Sequence, residues 1–293
     1  MQLSLQSYFS PAKLNLFFRI MNKRSDGYHE IASLYQAIDF GDTLTVELAE
    51  VDRLTCDDPR IPCDERNLAR KALNLFRHKT GLDTFHVRCN IEKKVPIEAG
   101  LGGGSSNAAT MLYACNQLAG HPASLAQLAL WAGEIGSDPA FFFSSGSAYC
   151  TGRGEVFSDQ PIRTENIFHP KETWIAKPTF GLSTPQVYKA ARPEFFEQRD
   201  PLAVLHSFIQ ESPIFFNDLE EPAFRLCPDL RAVKTALQDA GFTSVVMTGS
   251  GSAFICIGLS SPPQIPGLSF TQVGPHQRDP LGWYPFPKRL SID

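Results

Sequence analysis

Three places in the chain combine residue types that can hold or move charged groups. The first is Lys13 and Asn15, in Pro11-Ala12-Lys13-Leu14-Asn15-Leu16. In an extended strand a spacing of two puts both on one face, with apolar neighbours between them. A lysine so placed is either a solvated strand residue or a cation that neutralises charge developing on a transferring phosphoryl group. The second is the run from Pro96 to Asn107, Pro-Ile-Glu-Ala-Gly-Leu-Gly-Gly-Gly-Ser-Ser-Asn. Its glycines permit positive φ and let backbone N–H groups approach an oxyanion, and a helix beginning near Ser105 adds unpaired amides and the positive end of its dipole. Pro96, Gly100, Leu101, Gly102, Gly103, Gly104, Ser105 and Ser106 are the candidate nucleotide contacts, with the Ser105 or Ser106 hydroxyl also available to a metal. A flexible loop before a helix is the plain alternative. The third is Asp138, a carboxylate ahead of Pro139-Ala140-Phe141-Phe142-Phe143. It is either a cap for the next element or an acceptor for a hydroxyl proton during phosphoryl transfer.

The glycine run is not a Walker A loop, because no Gly-Lys-Ser/Thr follows, and its spacing is not Gly-x-Gly-x-x-Gly. What must position it is legible on both sides. Phe85, Val87, Cys89 and Ile91 alternate with polar residues as a half-buried strand, and Ala108, Leu112, Cys115 and Ala119 resume helical spacing. The order is strand, glycine loop, helix. Leu44, Val46 and Leu48 give another strand, and Leu68, Ala72, Leu73 and Phe76 stripe a helix over about 66–79 that stops at Gly81. Ser124 with Gln127 makes a capping box for a third helix ending at Gly136, which leaves Ser137 and Asp138 just beyond a helix end. From about 157, Pro161, Pro170, Pro178 and Pro185 punctuate short segments, and a domain boundary is expected there, giving 1–156 and 157–293. Pro228 to Ala240 reads as an amphipathic helix. Two strands follow, around Ser244–Met247 and Ala253–Gly258, joined by the glycine turn Thr248–Ser252. The proline-rich end is expected to be irregular apart from a strand around Ser269–Val273.

Composition bounds the partners. A formal net charge of −4 without basic runs offers no footprint for nucleic acid or an anionic membrane. No apolar stretch of spanning length or signal-peptide pattern occurs, so a cytoplasmic protein is expected. The odd set Cys56, Cys63, Cys89, Cys115, Cys150, Cys227 and Cys256 has no Cys-x-x-Cys pair, which argues for buried thiols rather than disulfides or zinc. Oligomeric state is not legible.

Taken together, Pro11–Asn15, Pro96–Asn107 and Met247-Thr248-Gly249-Ser250-Gly251-Ser252-Ala253 resemble, in order, the three signature motifs of the GHMP kinases. Lys23-Arg24-Ser25-Asp26-Gly27-Tyr28-His29-Glu30-Ile31 with Ser33-Leu34-Tyr35-Gln36 resembles the branch acting on a diphosphocytidyl-linked polyol. Asp64–Leu68, Ser183–Tyr188 and Phe216–Glu220 extend the resemblance over about 8–258. The resemblance implies an α+β, two-domain fold: an N-terminal α/β ATP-binding domain and a C-terminal ferredoxin-like domain, with the active site between them. It implies ATP and Mg2+ as cofactors, and phosphorylation of a polyol hydroxyl in the non-mevalonate route to isoprenoid precursors. Asp138 then matches the catalytic aspartate and Lys13 its neighbouring cation, while Asn15 orients the acceptor. Tyr28 stacks on cytosine and His29 hydrogen-bonds its polar edge. Tyr188 is a second aromatic wall or a core residue, and Asn67 touches the adenosine end or caps a helix. Two readings compete: a GHMP kinase with another small alcohol acceptor, and a catalytically silent nucleotide-binding protein. The chain departs from the pattern at Glu98, where the family has a small residue, and at Pro139-Ala140, where it has valine-proline.

Overall fold

The computed structural model describes residues 5–169 and 171–287. Two very long strands, β1 (Gln6–Lys23) and β2 (His29–Leu48), form an antiparallel hairpin at the centre of the first sheet. The hairpin turn is closed by Arg24 N–H donating to the Tyr28 carbonyl at 2.8 Å, with Gly27 at φ +88° supplying the left-handed residue. β3 (Arg53–Cys56) and β4 (Val87–Glu92) extend the sheet on one side in the order β3-β4-β2-β1. β5 (Ser147–Thr151) pairs with β2, and β6 (Val156–Asp159) pairs with β5. The change in composition near 157 thus falls inside β6, a strand of the first sheet.

Register in the hairpin shifts between Pro11 and Lys13 and again between Asn15 and Phe17. Bulges of this kind turn side chains away from the regular pleat. The short run Lys13–Asn15 is therefore bracketed by irregularities that aim it independently of the strand around it.

Three helices pack together beside this sheet: α1 (Leu68–Thr80), α2 (Gly103–Leu118) and α3 (Leu125–Ile135). α1 is capped by the Asn67 side chain, which accepts from Ala69 N–H, and ends on Gly81 at φ +70°. α3 opens with the expected Ser124–Gln127 capping box. α2 is buried on nearly all sides, so small and polar residues such as Ser106, Asn107, Thr110 and Asn116 are buried along with its apolar ones. It begins two residues earlier than its spacing suggests, because Gly102 at φ +69° takes the N-cap position.

The second sheet has the order β11-β7-β10-β9, antiparallel throughout, from β7 (Thr173–Pro178), β9 (Ser244–Met247), β10 (Phe254–Ile257) and β11 (Leu268–Gln272). The intervening chain carries α4 (Thr164–Ile167), α5 (Thr184–Ala190), α6 (Pro201–Ile209), α7 (Glu220–Leu226) and α8 (Pro228–Asp239). The two-residue strand β8 (Phe216–Asn217) crosses back and pairs with β1 in parallel.

The end of the chain has little regular structure, as its prolines suggest, yet it is packed. Trp283 stacks on Tyr113 with ring centroids 4.7 Å apart and donates its indole N–H to the Phe9 carbonyl at 3.0 Å. The tail after β11 therefore returns to the first sheet. All seven cysteines are free. Among the described residues no helix is long and apolar enough to cross a membrane.

Candidate active site

A cleft of about 1380 Å³ is walled by residues of the first sheet, the glycine loop, α5 with the segment after it, and the glycine turn between β9 and β10. Thirteen of the fifteen residues singled out by sequence line it: Lys13, Tyr28, His29, Asn67, Pro96, Gly100, Leu101, Gly102, Gly103, Gly104, Ser105, Asp138 and Tyr188.

The glycine loop is fixed before it reaches the helix. Asp42, fully buried on β2, accepts from Lys94 N–H at 2.7 Å and Val95 N–H at 2.8 Å, and pairs with the Lys93 ammonium at 2.7 Å. A buried carboxylate with three donors is well compensated, whereas one stripped of a partner costs about 3–5 kcal/mol. Beyond this anchor the three motifs are bonded to one another. Lys13 N–H donates to the Leu101 carbonyl at 2.9 Å, Ala253 N–H to the Ala99 carbonyl at 3.2 Å, and Asn15 N–H to the Thr248 hydroxyl at 3.0 Å. Contact is so close at Gly100 that an added Cβ would lie 2.0 Å from the Thr248 carbonyl oxygen.

Lys13 is only 3% exposed, so it is no solvated strand residue. Its ammonium donates to Asn15 Oδ1 at 2.6 Å, lies 3.6 Å from Asp138 Oδ2, and sits 4.6 Å above the Tyr35 ring centroid. Asp138 heads a 3-10 turn over Pro139–Phe143, but its side chain makes no capping hydrogen bond. Instead it accepts from the Tyr35 hydroxyl at 3.1 Å. Pro139 is accommodated at the first position of that turn.

Elsewhere on the cleft wall, Tyr28 is 53% exposed and carries the Arg153 guanidinium over its ring at 5.1 Å. His29 and Tyr188 stand with ring centroids 5.6 Å apart, tilted by 38°. Burial lowers the pKa of His29, reinforced by the charge of Lys23. The imidazole is thus biased toward its neutral form, with one donor and one acceptor nitrogen. Burial raises the pKa of the Tyr188 hydroxyl, which remains protonated.

Two residues take positions different from those expected. Asn15 is buried behind Lys13, with its amide donating to Ser33 and its oxygen facing the ammonium, so it holds the lysine instead of facing the cleft. Ser106 is likewise fully buried; its hydroxyl accepts from Ser10 at 2.8 Å and its N–H closes the first turn of α2 onto the Gly102 carbonyl. Ser105 is the serine left on the cleft wall. Asn67 caps α1, and it also lines the cleft. Glu98 adopts φ 51° and turns its carboxylate against Gly181 of the second lobe as well as lining the cleft.

Sequence reasoning passed over Tyr35 and Asn217 as working parts of the site. The Asn217 amide donates to the carbonyls of Met247 at 2.6 Å and Gly249 at 2.7 Å, and Glu220 accepts from Met247 N–H at 2.9 Å. The Phe216–Glu220 segment therefore holds the third glycine turn against Lys13. No local spacing signals this, because the partners lie about 30 residues apart.

A glycine loop running into a helix N-terminus, a buried lysine and a carboxylate on one cleft are the parts a small-molecule phosphotransferase needs. The model of the GHMP kinases N terminal domain matches residues 67–146, and that of the GHMP kinases C terminal domain matches 202–265. A 4-diphosphocytidyl-2-C-methyl-D-erythritol kinase of Protochlamydia amoebophila is 51% identical over 250 residues, covering 85% of this chain and 83% of that protein. The chloroplastic/chromoplastic enzyme of the same name from Solanum lycopersicum is 45% identical over 271 residues, covering 89% and 67%. A crystal structure of 4-(cytidine 5'-diphospho)-2C-methyl-D-erythritol kinase superposes with a TM-score of 0.71 at 34% identity, covering 86% of this chain and 90% of the other. The chain belongs to the GHMP kinases and, within them, to the 4-diphosphocytidyl-2-C-methyl-D-erythritol kinase family.

Proposed function

We propose that this protein transfers the γ-phosphoryl group of ATP to the 2-hydroxyl of 4-diphosphocytidyl-2-C-methyl-D-erythritol, a step in the non-mevalonate supply of isoprenoid precursors. The observation that carries the mechanism is the meeting of Lys13 and Asp138, 3.6 Å apart, in the cleft that the glycine loop and Tyr28, His29 and Tyr188 also line.

In this reading the acceptor oxygen attacks the γ-phosphorus while Asp138 takes its proton, and the bond from that phosphorus to the bridging oxygen breaks so that ADP leaves with the electron pair. The Lys13 ammonium, with Asn15 and the Tyr35 ring fixing it, stabilises the negative charge shared between the attacking oxygen and the phosphoryl group. Backbone amides of Gly102, Gly103, Gly104 and Ser105 hold the phosphates at the start of α2, and Asn67 with Pro96 borders the adenosine end. Mg2+ is part of the proposal. Ser105 offers a hard oxygen donor on the cleft wall, which would suit an ion that takes most of its ligands from phosphate and water and supplies charge neutralisation there. The division into an ATP-binding domain (1–156) and a C-terminal domain (157–293), and a cytoplasmic place of work, belong to the same reading.

Tyr28, His29 and Tyr188 supply the aromatic surface and polar edge that a cytosine ring needs. A kinase for a simpler alcohol has no use for them. Stacking on an aromatic is worth about 1–3 kcal/mol per base. Tyr28→Ala is therefore expected to raise KM for the cytidyl acceptor by roughly tenfold, with KM for ATP near wild type. In the same pair of proteins, cytidine diphosphate should raise the melting temperature of the wild type and have a smaller effect on the variant. An unchanged KM and equal melting shifts would move the cytosine pocket elsewhere.

A further inference from the structure

We infer that Tyr35 is a positioning residue for the phosphoryl transfer, its hydroxyl fixing the Asp138 carboxylate and its ring fixing the Lys13 ammonium. The inference rests on the proposed roles of those two groups. Tyr35 lies on β2 opposite Asn15 of β1, and its other edge is paired with Ala148 of β5, so its backbone is held from both sides. The ring packs edge-on against Phe141 with centroids 5.2 Å apart. From this rigid seat the hydroxyl donates to Asp138 Oδ1 at 3.1 Å, and the ring face lies under the ammonium at 4.6 Å.

The chemistry of the pair makes this arrangement useful. A carboxylate has two equivalent oxygens and rotates between them. With Oδ1 claimed by Tyr35, Oδ2 is the oxygen left beside Lys13, where an acceptor hydroxyl would be deprotonated. Asp138 itself is partly open to solvent and has no capping contact to hold it, so this hydrogen bond is its fixed tether to the protein. Burial pushes the Tyr35 hydroxyl well above the ordinary range for tyrosine, so it stays a donor at any working pH. The ring contributes a second restraint, since a cation near an aromatic face is attracted by its quadrupole. One side chain therefore touches both groups and links their placement, with Asn15 holding the ammonium from its other side.

Tyr35→Phe keeps the ring and its packing and removes the donor alone. The expected result is a fall in kcat of roughly tenfold, with KM for ATP and for the cytidyl acceptor within about twofold of wild type. The decisive arm combines it with Asp138→Asn. If the hydroxyl acts through the carboxylate, Tyr35→Phe should cost nothing further in kcat in the Asp138→Asn background, because the proton abstraction it serves is already gone. An unchanged kcat in the single variant overturns the inference, as does an equal loss in both backgrounds, which would mark a structural role. Should Asp138→Asn keep full kcat, the base assignment falls and takes this inference with it. That result is distinct from a crippled Asp138→Asn beside an untroubled Tyr35→Phe, which sinks the inference alone.

Discussion

Replacing Asp138 by Asn is expected to reduce kcat by roughly 10²-fold or more while leaving KM for ATP near its wild-type value. The amide has the shape of the carboxylate, and its oxygen still accepts from Tyr35, so the local structure has little reason to change. What disappears is the ability to take a proton from the acceptor hydroxyl and the negative charge facing Lys13. An interaction made only in the transition state shows in kcat, whereas one made equally with bound substrate shows in KM. A variant with normal kcat would leave Asp138 a structural residue, and the proton would need another acceptor.

The second large effect is expected at Gly100. This residue has φ +75°, and an added Cβ would meet the Thr248 carbonyl oxygen at 2.0 Å and the Gly251 amide nitrogen at 3.1 Å. Both obstacles are backbone, so the overlap is relieved only by separating the phosphate loop from the third glycine turn. Those two segments bracket Lys13, and a displacement of about 1 Å in such a site costs roughly 10²-fold in rate. Gly100→Ala should therefore lower both melting temperature and kcat/KM for ATP. Gly120→Ala is the control: its φ is +78°, but nothing lies within 4 Å of the added atom. It should carry only the conformational penalty of about 1 kcal/mol and leave activity intact. Equal behaviour of the two variants would show that the contact between loop and turn is not what makes Gly100 necessary.

Much of this arrangement is legible in the sequence where a local signal exists. The Ser124–Gln127 box, the Gly81 stop and the strand-loop-helix order around Pro96–Asn107 depend on residues a few positions apart, and each falls where spacing puts it. The hairpin of β1 and β2 is the clearest loss. Most of its length is buried on both faces, so apolar residues run together over much of it and only Pro11–Leu16 and the half-buried stretch at Leu44–Leu48 read as extended. Asn15 shares a strand face with Lys13 as period two requires, but the flanking bulges and the approach of Thr248 turn it inward. Ser106 follows Ser105 by one residue on a helix, a step of about 100° that takes its hydroxyl from the cleft wall into contact with Ser10. Tyr35 and Asp138 are 103 residues apart, and no pattern in one sequence joins them. Trp283 and Tyr284 lie among prolines that suppress any period, and no local spacing announces that both are buried.

The most direct test of the central claim is ADP release by the purified protein with ATP and Mg2+, with 4-diphosphocytidyl-2-C-methyl-D-erythritol as acceptor beside homoserine, mevalonate and galactose. The account predicts turnover with the cytidyl acceptor and none above background with the other three. Equal or faster release with homoserine, mevalonate or galactose, or no release with the cytidyl acceptor, would contradict it.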